Sequence, residues 1–115
     1  MTTVTKIIDK TVDPIEADLD GWVKQVGNPT MKTWIEYKSE DGTIISGRWE
    51  ATAGTYFATY SGWEFIHIME GKAIVTAEGG EPLSLAAGDS MIFEKDFVGT
   101  WEIIDPITKH FAIKF

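Results

Sequence analysis

Residues 63–71 read W-E-F-I-H-I-M-E-G, and residues 88–102 read G-D-S-M-I-F-E-K-D-F-V-G-T-W-E. The first stretch alternates about a single acid. Side chains on a strand point to opposite faces with a period of two, so Glu64, Ile66 and Ile68 share one side and Phe65, His67 and Met69 the other. The second stretch opens on a Gly-Asp turn and ends in a strand carrying Trp101. An acid on the aliphatic face of a strand is costly to bury, which makes Glu64 the first residue to explain.

Working outward, the same β signals fill the chain from Lys32 onward. Residues 32–39, K-T-W-I-E-Y-K-S, are rich in aromatic and β-branched side chains and run into Asp41-Gly42, a strong hairpin turn. Residues 43–49 return as the partner strand, and Gly54 breaks the run before residues 56–60. After residues 63–69 a turn is expected at Glu70-Gly71, and residues 72–77 continue the meander. Gly79-Gly80 ends that strand. Residues 83–85, 90–93, 100–104 and 109–115 complete the set. About eight or nine short strands at such spacing indicate an all-β sandwich or barrel. No helical periodicity occurs after residue 30. Before it, Asp13-Pro14-Ile15-Glu16 has the form of a helix start, but Gly21 and Gly27 limit it to a short turn. Residues 1–30 are therefore expected as an irregular N-terminal arm and residues 31–115 as the barrel.

Composition narrows the function. The 115 residues fit one domain, 43% hydrophobic and 24% charged, with a formal net charge of -8. Phosphate backbones and anionic lipid repel such a surface, and no basic stripe is present, so neither nucleic acid nor membrane is an expected partner. There is no cysteine, which excludes disulfides, thiolate metal sites and cysteine nucleophiles. The start, M-T-T-V-T-K-I-I-D-K, lacks the apolar core of a signal peptide, and no apolar run approaches roughly 18 residues. A cytoplasmic location is expected.

The order of these motifs resembles the cupin superfamily, whose jelly-roll barrel, a double-stranded β-helix, is built from paired hairpins. Cupins carry a first motif, G-x5-H-x-H-x3-4-E-x6-G, and a second, G-x5-P-x-G-x2-H-x3-N. Glu64 and Gly71 fit the tail of the first motif. Its histidine slots fall on Ala58 and Tyr60, or with the longer spacer on Phe57 and Thr59. Gly88 fits the opening of the second motif, whose proline, glycine and histidine slots hold Glu94, Asp96 and Gly99. A narrower likeness covers roughly residues 45–115. The runs G-R-W-E-A-T-A-G-T-Y, E-F-I-H-I-M-E-G and F-V-G-T-W-E look like the small cupins related to ureidoglycine aminohydrolase and the ethanolamine-utilisation cupin. In the aminohydrolase, manganese is held by histidines, glutamate and glutamine. Only the glutamate, Glu64, has a counterpart here, so the resemblance implies the barrel without the metal, and no cofactor is expected.

With Gly99 at the inward histidine slot, Trp101 and Ile103 also face in, and the lumen gathers Glu64, Trp101 and Tyr60. Glu64 is then either a proton-transfer group or a structural acid tied to Tyr60, an indole N–H or Arg48. On the last strand Ile107, Phe111, Ile113 and Phe115 make an apolar face that includes Lys109. A lysine there needs a carboxylate, Glu64 or Glu102, or a route to solvent at the rim. His67 has the wrong parity to share a metal with Glu64, and His110 lies on the polar face. Two readings follow. One is a metal-free cupin that binds a small polar metabolite, with Trp49, Tyr60 and Trp101 shaping the pocket and Glu64 anchoring the ligand. The other is an enzyme of the aminohydrolase-like group using Glu64 as acid or base, with Lys109. The outward Phe65, His67 and Met69 face is expected to be covered by a second copy in a homodimer.

Overall fold

The computed structural model describes residues 3–8 and 11–115. The remaining positions of the expected arm, 1, 2, 9 and 10, lie outside the described residues. Eight strands and no helix occur among the described residues: β1 (Trp22–Val26), β2 (Met31–Lys38), β3 (Ile44–Ala51), β4 (Gly54–Thr59), β5 (Trp63–Ala77), β6 (Leu83–Ala86), β7 (Ser90–Phe93) and β8 (Val98–Lys114). All pairing is antiparallel. The all-β cupin jelly roll expected from the sequence is the fold.

Two long strands form its spine. β5 and β8 run side by side from the Trp63↔Lys114 pair to the Ala77↔Gly99 pair. The first half of β8 pairs on its other edge with β4, and the second half with β3, which continues to β2. β5 likewise pairs first with β7 and then with β6. The expected turn at Glu70-Gly71 and the expected gap between residues 104 and 109 are corrected here, since neither interrupts its strand. Both are bends within one continuous strand, and the register shifts between Ile68 and Ala73 mark bulges in β5. Bulges bend and twist a strand, which is how one ribbon serves both halves of a curled sheet. Gly71 has φ +92°, and a Cβ there would lie 2.2 Å from the Pro106 carbonyl oxygen, so the position admits no side chain.

The hairpin at Asp41-Gly42 forms as expected. The Asp41 carboxylate accepts hydrogen bonds from the Ser39 hydroxyl, the Thr43 amide and the Thr43 hydroxyl. These bonds, led by the Thr43 amide, hold its pKa down to about 2. The N-terminal segment forms no helical turn at Asp13-Pro14. Instead Ile15 and Thr33 exchange backbone hydrogen bonds of 2.8 and 3.0 Å. Trp22–Val26 forms β1, hydrogen-bonded to β4 with Trp22 opposite Ala58. Its burial pattern leaves only Trp22 turned toward the core.

The parity read at residue 64 holds in the first half of β5, where Glu64, Ile66 and Ile68 are buried while Trp63, Phe65 and His67 are not, and it reverses after the bulges, where Ala73 and Val75 are buried. Trp101, Ile103, Ile107 and Phe111 from β8 pack against them, with Trp49 and Tyr56 from neighbouring strands.

Candidate functional site

Register across the sheet brings the site together. Thr33 on β2 stands opposite Trp49 on β3, Trp49 opposite Lys109 on β8, and Lys109 opposite Ile68 on β5. Pairing partners project to the same face, so these four side chains form one row on the inner wall. Glu64 reaches that row from β5, and its carboxylate accepts a 3.3 Å hydrogen bond from the Lys109 ammonium. Lys109 is 2% exposed and Glu64 4%. Lys109 thus pairs with Glu64 rather than with the exposed Glu102 or with solvent at the rim, and Arg48, one of the partners considered for Glu64, bonds to Glu50 at 2.9 Å.

Indole rings surround the ammonium. Lys109 Nζ lies 4.5 Å from the Trp49 ring centroid, 4.7 Å from that of Trp101 and 5.8 Å from that of Trp22. The rings themselves are 5.3 to 5.8 Å apart. Their negative faces favour the cation, as does the carboxylate. Burial works the other way. It pushes the Lys109 pKa below the usual lysine value, against the upward pull of Glu64. The Tyr60 hydroxyl accepts a 3.1 Å hydrogen bond from Trp101 Nε1. Its pKa is held well above the usual value, first by burial and then by the negative charge of Glu64, so it stays protonated at neutral pH.

Above the ion pair opens a pocket of about 360 Å³. Its lining includes Lys109, Glu64, Tyr60, Trp49 and Trp22, with Asp20 near the first strand. The segment bearing Leu19 and Asp20 is anchored by its neighbour Asp18, which accepts a 2.7 Å hydrogen bond from the Tyr56 hydroxyl and pairs with Lys24. Thr33 also lines the pocket. It is 2% exposed, and its hydroxyl oxygen has no hydrogen-bond partner among the described residues. A buried hydroxyl with nothing to bond costs about 1–3 kcal/mol.

Of the residues singled out from sequence, Glu64, Lys109, Trp49 and Tyr60 line this pocket, and Trp101 forms the wall behind the ammonium. Trp22 and Thr33 were not singled out. Trp22 sits on an edge strand with four exposed neighbours, so no alternation marks it. Thr33 is an ordinary strand residue until its lack of a partner is seen.

Cupin barrels commonly hold a metal, and these residues do not fit one. Ala58 and Tyr60, at the first motif's inward histidine slots, are both buried and offer no imidazole. At Gly99 a Cβ would lie 2.2 Å from the Thr76 carbonyl oxygen, so a histidine has no room there. The Glu64 carboxylate is already bonded to an ammonium, whose charge repels a second cation. His67 points away, with Nδ1 2.8 Å from the Ser90 hydroxyl. Among the described residues no three His, Cys, Asp or Glu side chains cluster as metal ligands.

A curled antiparallel sheet with a pocket at its inner wall defines a cupin, and comparison with known proteins narrows the class. Residues 38–111 match the EutQ-like cupin domain, and the chain belongs to that family. A DUF861 family protein from Thermotoga maritima is 31% identical over 56% of this chain and 73% of that one, with a TM-score of 0.54. The EutQ protein of Clostridium difficile superposes with a TM-score of 0.68 at 15% identity, covering 91% of this chain and 97% of that one. A protein of unknown function (DUF1255) from Acidithiobacillus ferrooxidans gives 0.64 at 21% identity, with 92% of each chain covered. These last two likenesses concern the fold alone. No curated protein matches the chain. No helix of the described residues is long and apolar enough to cross a membrane.

Proposed function

We propose that this cupin binds a small, neutral, polar metabolite in the pocket over the Lys109–Glu64 pair. The observation that carries the reading is the cavity itself, about 360 Å³ lined by Glu64, Tyr60, Trp49 and Lys109 and large enough for a small molecule. The ion pair sets the charge of the ligand. Glu64 neutralises Lys109, and Asp20 adds a negative charge to the lining, so nothing in the pocket compensates an anion. The indole walls suit an apolar body, and Glu64 and Tyr60 suit hydroxyl, carbonyl or amide groups.

A thermal-shift screen tests this, because a ligand that binds only the folded state raises the melting temperature. At about 100 times its Kd a neutral polyol, hydroxyketone or amide should add about 2.7 kcal/mol, roughly 10 °C for a chain of this size. Stabilisation by carboxylates or divalent cations, with none by neutral compounds, would contradict the reading.

A catalytic reading is favoured by one observation, the direct hydrogen bond between a buried amine and a buried carboxylate. Such a couple can pass a proton to and from a bound substrate, with Glu64 as acid or base and Lys109 as its partner. Ureidoglycine hydrolysis is not part of it, because the metal ligands of that reaction are missing. For assembly we place a second copy against the outer face of β5 and β7, where Phe65 and Ile92 are paired neighbours and both are exposed. A monomeric mass by light scattering at micromolar concentration would remove the dimer.

A further inference from the structure

Lys109 is more than a counter-ion. Lys109 is one of the residues that line the pocket, its carboxylate partner lies 3.3 Å from the amine, and three indoles surround that amine. A nucleophilic lysine needs a route to substrate, a local group that takes and returns its proton, and surroundings that favour the free amine. We propose that Lys109 is an amine nucleophile that forms a reversible Schiff base with a small neutral carbonyl compound, a hydroxyketone or hydroxyaldehyde. This rests on the pocket being a ligand site, as argued above.

The step balances within the pair. Glu64 takes one proton from the ammonium and leaves a free amine. The nitrogen lone pair forms a bond to the carbonyl carbon as the C=O π electrons move to oxygen. A proton passing from nitrogen to that oxygen gives the carbinolamine. The acid proton held by Glu64 then goes to the hydroxyl, water departs and the C=N bond forms. The product is an iminium cation beside a carboxylate. It carries the same charge in the same place as the original ammonium, against the same Glu64 oxygen and the same indole faces, so the site is preorganised for product as well as reactant. Burial favours the uncharged amine that starts the sequence.

Glu64 and Asp20 select the rest of the ligand through their negative charge. A keto acid would bring its carboxylate beside Glu64, which disfavours it.

The test is reductive trapping. The protein is incubated with hydroxyacetone and sodium cyanoborohydride at neutral pH, and peptide mass spectrometry follows the secondary amine at every lysine. The expected result is labelling at Lys109 about tenfold or more faster than at any other lysine. Pyruvate should label Lys109 more slowly than hydroxyacetone. Labelling of surface lysines as fast as Lys109, or no preference over pyruvate, overturns the proposal. The unmodified chain carries this measurement, so it does not depend on any variant folding. Lys109→Arg keeps the charge and should lose the label. Tryptophan emission titrated with 1,2-propanediol, which has no carbonyl, separates the two ideas. A saturating change without a Lys109 adduct sinks the nucleophile and keeps the ligand pocket. Neither emission change nor adduct sinks both.

Discussion

Breaking the buried pair from one side and then from both is the sharpest test of its energetics. At 3.3 Å and an effective dielectric of about 20, the attraction between Lys109 and Glu64 is about 5 kcal/mol. Glu64→Leu leaves an ammonium that only indole faces partner, and Lys109→Met leaves a carboxylate with only the Tyr60 hydroxyl nearby. Each single change should cost about 3–5 kcal/mol. With an unfolding entropy of about 2.1 cal/mol/K per residue, that is a fall in Tm of roughly 12–20 °C. The double variant Lys109→Met with Glu64→Leu removes both charges and fills the space with carbon. It should unfold within about 1 kcal/mol of the parent, or be more stable by about 1–4 kcal/mol. Urea denaturation of the four proteins, with m-values checked for constancy, gives the coupling energy directly. Single variants costing less than about 1 kcal/mol each, or a double variant costing their sum, would refute the reasoning, because the two groups would then not be sharing a dry site.

Alkaline stability should report the Tyr60 hydroxyl. Its folded pKa is raised, so its contribution is complete below about 10 and is lost above that as the unfolded chain gives up the proton, at about 1.4 kcal/mol per pH unit. Lys109, with a lowered pKa, acts oppositely, adding stability as pH rises toward about 10.5 and nothing beyond. Between pH 10.5 and 11.5 the parent should therefore lose stability more steeply than Tyr60→Phe by about that slope, and equal slopes would count against it. Gly71→Ala places a carbon against the Pro106 carbonyl at positive φ and should cost about 2–4 kcal/mol in urea denaturation, whereas a change under about 0.5 kcal/mol would deny the tight bulge. Trp22→Ala should cost about 3 kcal/mol and speed the trapping of Lys109 by surface-type reagents, since it removes one wall of the cage.

Much of this molecule is legible in strand parity. The alternation from Trp63 to Met69 places Glu64 inward, and the alternation from Ile107 to Phe115 places Lys109 inward, because both strands have one buried face. The pairing of the two residues was one of two open alternatives, since parity says which way a side chain points but not how far apart two strands lie. The bends at Gly71 and Pro106 were misread as strand ends for a physical reason. A bulge and a turn both use glycine at positive φ or a proline without an amide proton, and only the neighbouring strand distinguishes them. Trp22 was hidden because β1 pairs with β4 across more than thirty intervening residues and shows the solvent four side chains out of five. Thr33 was hidden because a missing hydrogen bond leaves no mark in a sequence.

The central claim is that the cation of this barrel is a lysine side chain and not a metal. A crystal structure of protein grown with excess manganese or nickel tests it most directly. The account predicts Lys109 Nζ beside Glu64 and between the rings of Trp49 and Trp101, with no anomalous peak in the lumen. An ion bound to Glu64, with Lys109 turned away, would contradict it.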